Sequence, residues 1–186
     1  NIALLCSIII AFACSNEIIQ PEKLSRFKYF EIDSEDNFWF TSEAKLFMAK
    51  INKRDTTYTY QLDSMNLPIN ARIREFEIDN EDAIWIATSK GIMRYKNQNW
   101  ETFDTSNTCL QSNDIKQIEL TEEGNIWSLV MIKDSTNRNG ITSVIQKIAS
   151  QDCKSYQTQN FLKEYTHTFK VSDTKIWFGS KYSRFT

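Results

Sequence analysis

Histidine is almost missing from this sequence, with one residue in 186, and proline and glycine are scarce at two and four. The lone His167 lies in a Thr-His-Thr stretch with no nucleophile motif nearby, which leaves no support for a Ser-His-Asp or Cys-His arrangement. There is no CxxC pair and no Cys/His cluster, so the ligand sets of structural zinc are excluded. No Lys/Arg cluster stands out against a net charge of -2, so the basic stripe that a nucleic-acid surface needs is lacking. The uncharged apolar run at 1–13 is too short to span a bilayer as a helix. With 41% hydrophobic, 13% aromatic and 25% charged residues, the composition is that of a folding chain rather than a disordered one.

What is present is a repeat. FEIDNEDAIW at 76–85 recurs as FEIDSEDNFW at 30–39, IELTEEGNIW at 118–127 and, one residue shorter, FKVSDTKIW at 169–177. Each copy has an alternating run, a polar turn and an apolar dipeptide ending in Trp. The Trp residues fall at 39, 85, 127 and 177. A period of about 40–50 residues built from short strands is that of a β-propeller blade. The fold class expected is all-β, a propeller of four-stranded antiparallel blades, with about three blades and part of a fourth. The repeats divide at about 26–70, 71–113, 114–164 and 165–186. Three blades and a fragment cannot close a ring, so the sequence is expected to be incomplete at both ends.

Within the repeats, strands are expected at 27–33, 38–41, 46–51 and 56–62, then at 72–79, 84–88, 92–96 and 100–103. The third repeat gives 115–120, 126–132 and 141–149, followed by a polar stretch to 159. The second strands read FWF, IWIA, IWSLVM and IWF, apolar on both faces. Such runs require burial on two sides, which blades packed face to face provide. The recurrent Trp therefore reads as packing between blades rather than as a sugar-stacking platform. The acidic turns at 33–36, 79–82 and 121–124 lack EF-hand spacing, and Asp and Asn side chains cap such turns through their own backbone.

Residues 1–13 read as the apolar region of a secretory signal. Ala11-Phe12-Ala13 precedes Cys14, and this resembles a bacterial lipoprotein lipobox of the Bacteroidetes type, with Ala11 in place of the usual Leu and a bulky Phe12 next to it. The resemblance implies a lipid thioether on Cys14, with 14–25 as a tether and the membrane as a partner. Cys6 would leave with the signal. Cys109 and Cys153 lie 24 and 26 residues after Trp85 and Trp127, near-equivalent places in successive repeats. Equivalent points on neighbouring blades are too far apart for a bridge unless loops close the gap. The reading adopted is two free, half-buried thiols.

In the second repeat, Trp85, Ile86, Thr88, Gly91, Ile92, Tyr95, Trp100, Phe103, Leu110, Ser112, Asn113, Gly124, Ile126 and Trp127 form a pattern that resembles the two-component regulator propeller repeat. In the other repeats only the Phe/Ile-Trp core is kept. The resemblance implies an exported propeller and brings no catalytic residue with it. Three functions follow as expectations. The first is non-catalytic binding of a ligand or partner, such as a glycan or an envelope protein, by a lipid-anchored propeller. The second is an extracytoplasmic sensor of a two-component system. The third is a propeller glycosidase or lyase, for which no carboxylate pair is singled out. No cofactor and no metal is expected. Binding is expected at loops on one mouth of the propeller. These are the links from outer to inner strands at 64–69 and 104–113, and the links between second and third strands at 42–45, 89–91 and 133–140. The last is the longest, and Lys133, Asp134, Asn137, Arg138 and Asn139 suit a polar or anionic ligand.

Overall fold

The computed structural model describes residues 27–42, 45–51, 57–61, 67–68, 70–97, 99–136, 140–148, 153–157, 166, 168–172 and 175–179. All regular structure among them is β. Strands β1 (Phe27–Ile32), β2 (Asn37–Ser42), β3 (Lys45–Ile51) and β4 (Thr57–Gln61) form the first sheet. The second contains β5 (Ile73–Ile78), β6 (Ile84–Thr88), β7 (Gly91–Lys96) and β8 (Asn99–Phe103). The third contains β9 (Ile115–Leu120), β10 (Ile126–Lys133), β11 (Ile141–Ile148) and β12 (Lys154–Gln157). Strands β13 (Thr168–Ser172) and β14 (Lys175–Gly179) pair as a fourth, two-stranded sheet. Every pairing is antiparallel and follows chain order, so each sheet is an up-and-down meander. The first strands β1, β5, β9 and β13 are neighbours in sequence order. This is the blade arrangement of a β-propeller, with three full blades and a two-stranded part of a fourth.

The turn between the first two strands of a blade has one geometry in three blades. In the second, Asp82 N–H donates to Asp79 O at 3.0 Å and Asp79 N–H to Ala83 O at 3.0 Å. Asp36 and Thr121 belong to the same pattern, through Asp36 N–H to Asp33 O and Gly124 N–H to Thr121 O. The last turn position is left-handed in each: Asp36 at φ 61°, Asp82 at 58° and Gly124 at 75°. Asp and Gly tolerate that region best, which is why they stand there.

The first residue of the turn does more than cap it. Asp79 Oδ1 accepts from Glu81 N–H and Ala83 N–H, both at 2.9 Å, while Oδ2 accepts from the Trp85 indole N–H at 2.8 Å. Asp33 treats Glu35, Asn37 and Trp39 in the same way, with the indole bond again at 2.8 Å. The ring so oriented enters the space between sheets. Trp39 packs with Phe76, Ile84 and Ile86 of the second blade, and Trp85 with Ile115, Ile118 and Val130 of the third. Trp127 packs with Phe169 of the fourth. A cross-strand cation covers two of these rings: Arg94 lies 5.2 Å from the Trp85 centroid and Lys147 5.9 Å from that of Trp127. Trp177 departs from the expected burial, since it is 61% exposed while Trp39, Trp85 and Trp127 are 6–9% exposed.

Two further expectations need correction. The polar stretch after β11 contains a strand, β12, each of whose residues is exposed and which therefore carries no apolar signal. Cys109 and Cys153 are joined in a disulfide, with Cα atoms 5.6 Å apart. Their similar distances from Trp85 and Trp127 mislead, because β10 and β11 have eight residues each where β6 and β7 have five and six. Cys153 therefore falls just before a fourth strand and Cys109 well after one. The loop carrying Cys109 also lies against the third blade. Leu110 is buried with Ile118 and Val130, and Gln111 N–H donates to Gln146 Oε1 at 3.1 Å.

Gly91 closes the hairpin from β6 to β7. Its φ is 123°, and a Cβ there would stand 2.6 Å from Phe103 O. Thr88 Oγ1 seals the same turn, donating to Gly91 O at 2.7 Å and accepting from Lys90 N–H at 3.0 Å.

Truncating a Trp sealed between sheets removes a large buried ring, so Trp85→Ala is expected to cost about 3–5 kcal/mol. Trp177→Ala, at an exposed ring, should cost less than about 1 kcal/mol. Urea midpoints of the two variants check this order, and equal costs would refute it.

Candidate functional site

In a meander, the links from fourth to first strands and from second to third strands lie at the same end of the sheets. At that end, residues 104–114 and the tip of the β10–β11 hairpin enclose an open groove of about 870 Å³. The 104–114 wall is held by its own polar side chains. Asp104 Oδ1 accepts from Ser106 N–H at 2.7 Å, Asn107 Oδ1 from Asp104 N–H at 2.8 Å, and Asn113 Oδ1 from Thr105 N–H at 2.8 Å. Leu110 and the Cys109–Cys153 bridge fix the wall to the blades on either side. The opposite wall is closed by Asp134 N–H donating to Gly140 O at 2.9 Å, and Asp134 Oδ1 accepts from Thr136 N–H and Oγ1–H. Met131 N–H donates to Asp114 O at 2.9 Å and joins the two walls.

Lys133 and Asp134, two of the residues expected from sequence, line this groove. The other three, Asn137, Arg138 and Asn139, lie outside the described residues, as do Cys14, His167 and the linker residues 64–66. Its lining combines apolar Met131, Ile132 and Ile141 with polar Thr105, Asn113, Lys133, Asp134 and Ser135. No aromatic ring lines it among the described residues, so a sugar bound here would be held by hydrogen bonds rather than by stacking.

A second groove of about 430 Å³ lies at the opposite end, between the turns of the second and third blades. Three of its charged groups, Asp79, Arg94 and Glu81, are engaged within the protein. Asp79 holds the turn and the Trp85 indole, Arg94 pairs with Glu101 at 3.1 Å, and Glu81 pairs with Lys96.

Charge also gathers on the first strands, at positions that sequence reasoning passed over. Glu75 Oε2 accepts from Ile118 N–H at 3.1 Å, and Glu77 Oε2 from Leu120 N–H at 2.7 Å. One blade on, Gln117 accepts from Phe169 N–H at 3.1 Å and donates to Phe169 O at 3.0 Å. Strands β5 and β9 thus lend side chains to the open backbone edge of the next first strand, which would otherwise keep N–H groups unpaired. Glu119, 4% exposed, pairs with Lys170 at 2.6 Å. The signal was there to read: Glu31, Glu77, Glu119 and Lys170 each follow the repeat's first-strand Phe or Ile.

Burial pushes the Glu75 carboxyl up to about 8, against the hydrogen bond from Ile118 and with the charges of Glu77 and Glu119 adding to the rise. Burial likewise pushes Glu77 up to about 7, against the hydrogen bond from Leu120 and with Glu119 again raising it. Burial also raises Glu31, opposed by Lys170. The hydrogen bond to Glu119 raises Lys170.

No family model and no curated protein matches the chain. Solved structures of similar fold include the extracellular domain of a hybrid two-component system, BT3049, from B. thetaiotaomicron, with a TM-score of 0.44 and 14% identity. That match covers 73% of this chain and 22% of the other. Virginiamycin B lyase from Staphylococcus aureus matches with a TM-score of 0.46 and 11% identity, over 82% of this chain and 62% of the other. The extracellular domain of a second B. thetaiotaomicron hybrid system, BT4673, matches with a TM-score of 0.44 and 14% identity, over 75% and 24%. The chain therefore spans less than a quarter of the two-component domains and under two thirds of the lyase. At these identities and scores the likeness is one of fold and says nothing of activity.

A carboxyl whose pKa is raised by folding binds its proton more tightly in the native state. Its contribution to stability is complete below the ordinary 4.5 and is lost as pH rises through about 8. Stability should therefore fall between those values. Glu75→Gln keeps a carbonyl for Ile118 N–H, as Gln117 does for Phe169, and has no proton to lose. Denaturant midpoints from pH 5 to pH 9 should fall less steeply in this variant than in the wild type. An unchanged slope would overturn the burial account.

Proposed function

We propose that this chain is a non-catalytic binding propeller of the cell envelope that takes a polar or anionic ligand in the groove between 104–114 and the β10–β11 hairpin. The observation that carries the reading is the pre-built wall at 104–114, fixed by Leu110, Gln111 and the Cys109–Cys153 bridge, which lines one groove with Lys133 and Asp134. Rigid elements that hold a loop in one shape reduce the ordering cost of binding. The buried carboxylates with raised pKa do not favour catalysis, because Glu75 and Glu77 each commit an oxygen to the backbone of β9.

The ligand class is an acidic oligosaccharide or the acidic side chains of an envelope protein, which Lys133 would meet at the rim. In a binding screen with a panel of acidic oligosaccharides, replacing 134–139 with a short Gly-Ser turn should weaken the best binder by about tenfold or more. Unchanged affinity, with the fold confirmed by circular dichroism, would remove this hairpin from the site. A panel with no binder would end the oligosaccharide reading.

Export and a lipid anchor at Cys14 belong to the same proposal and rest on the sequence of 1–14. A sensor of a two-component system would use the same groove, and the repeat-two motif supports it. Metabolic labelling with palmitate separates the two. Label lost in Cys14→Ser supports the anchor, and label kept by that variant rejects it.

A further inference from the structure

The turns of neighbouring blades meet at the end of the sheets away from the loop mouth, and two of these meetings differ by one side chain. Between the first and second blades, Ser34 N–H and Oγ–H donate to the two carboxylate oxygens of Asp82, the N–H at 2.9 Å. Ser34 is the second residue of its turn, and Asp82 is the fourth residue of the next. Between the second and third blades the same two positions are Asn80 and Gly124. The donor side keeps its chemistry, with a backbone N–H and a side-chain N–H where Ser34 has a hydroxyl. Asn80 makes no hydrogen bond among the described residues. The acceptor side has lost its carboxylate. A Cβ at Gly124 would meet nothing within 4 Å, and the groove of about 430 Å³ is lined there by both Asn80 and Gly124.

A second, independent feature calls for an acceptor at the same place. Arg94 lines this groove, and its Nε is buried with no hydrogen-bond partner, while Nη1 is taken by Glu101. A buried donor of this kind is costly unless something accepts from it. Arg94 stands across the strand from Trp85, where the first blade has Met48 across from Trp39. The seam that already holds a carboxylate thus has no cation at this position, and the seam that lacks the carboxylate has one. Ile78, Leu120 and Ile126 add apolar surface to the lining. One group opposes an anion: Glu122 is exposed, lines the groove and makes no ion pair among the described residues. The first seam shows that such opposition is overcome, since Asp82 is held there against a turn that carries Asp33, Glu35 and Asp36.

We infer that the groove between the second and third turns binds a small organic acid. Its carboxylate takes the place beside Asn80 that the Asp82 side chain takes beside Ser34, and its apolar body lies on Ile78, Leu120 and Ile126. Charge-assisted hydrogen bonds from Asn80 and Arg94 would hold the carboxylate. The groove's volume lies within the usual range for small-molecule sites, about 300–1,000 Å³. This site is separate from the groove at 104–114 and stands or falls independently of the function proposed for that one.

Benzoate, a carboxylate on an apolar ring, is the probe, titrated into the full nitrogen-15-labelled chain and followed by NMR. The Asn80 amide and the Arg94 Nε–H resonances should shift and saturate. Benzamide, of the same shape without the charge, should bind about tenfold or more weakly, and so should the cation benzylamine. Gly124→Asp supplies the carboxylate from the chain itself and should weaken benzoate by about tenfold or more. Asp36 and Asp82 hold the same left-handed turn position, so circular dichroism of this variant should be unchanged. Arg94→Met installs the residue of the first blade and should also weaken benzoate. No saturable shift in the wild type, or benzamide or benzylamine binding as tightly as benzoate, would overturn the inference. Unchanged benzoate affinity in a folded Gly124→Asp variant would do the same. Should that variant fail to fold, unchanged affinity in Arg94→Met decides against the site.

Discussion

A carboxylate six residues before each of the first two Trp residues couples the turn of a blade to the seam between blades. Asp33 and Asp79 each use one oxygen on turn backbone and the other on an indole N–H. The burial of so large a ring contributes about 2–3 kcal/mol from apolar area. That gain depends on the indole N–H finding a partner, since an unpaired buried donor costs about 1–3 kcal/mol. The bond also sets the ring's direction, so the turn decides which residues of the next blade meet the Trp. The third blade shows what happens without the second oxygen. Thr121 Oγ1 still accepts from Asn125 N–H at 3.2 Å, but a hydroxyl has no second acceptor atom for the ring. There, Trp127 is held between Lys147 and Tyr156, at 5.9 Å from each.

Seams packed by Trp would leave the first strands with an open edge beside the next blade. The Glu75, Glu77 and Gln117 side chains close it, and this places carboxylates where solvent is scarce. The raised pKa values of Glu75 and Glu77 follow first from that burial. The same seams bring 104–114 against the third blade, where Leu110 and the disulfide hold it. The groove is thus a product of how blades meet, with one wall from the crossing loop and one from a long hairpin.

Much of this was legible in the sequence. The 40–50-residue period, the two-sided apolar second strands and the acidic turns gave the blades, most strand bounds and the seam position of Trp39, Trp85 and Trp127. The shared mouth of the loops followed from meander connectivity, and Lys133 and Asp134 do line a groove there. Other features have no local signal. Strand β12 is exposed throughout, so neither face carries an apolar pattern. The Cys109–Cys153 bridge depends on a loop path and on the length of the β10–β11 hairpin, which spacing from Trp cannot convey. Trp177 keeps the motif while lacking a covering sheet among the described residues, because motif and environment are separate facts. The first-strand glutamates were visible as repeat positions, but their partners are backbone groups of another blade.

The claim that the turn carboxylate positions the seam Trp is tested most directly by a double-mutant cycle on Asp79→Ala and Trp85→Phe, read by urea unfolding. Trp→Phe removes the indole N–H while keeping an aromatic ring. The account predicts a coupling of about 1–2 kcal/mol between the two sites, and a value near zero for the matched cycle on Thr121→Ala and Trp127→Phe. Additive costs at Asp79 and Trp85, or equal coupling in both cycles, would contradict it.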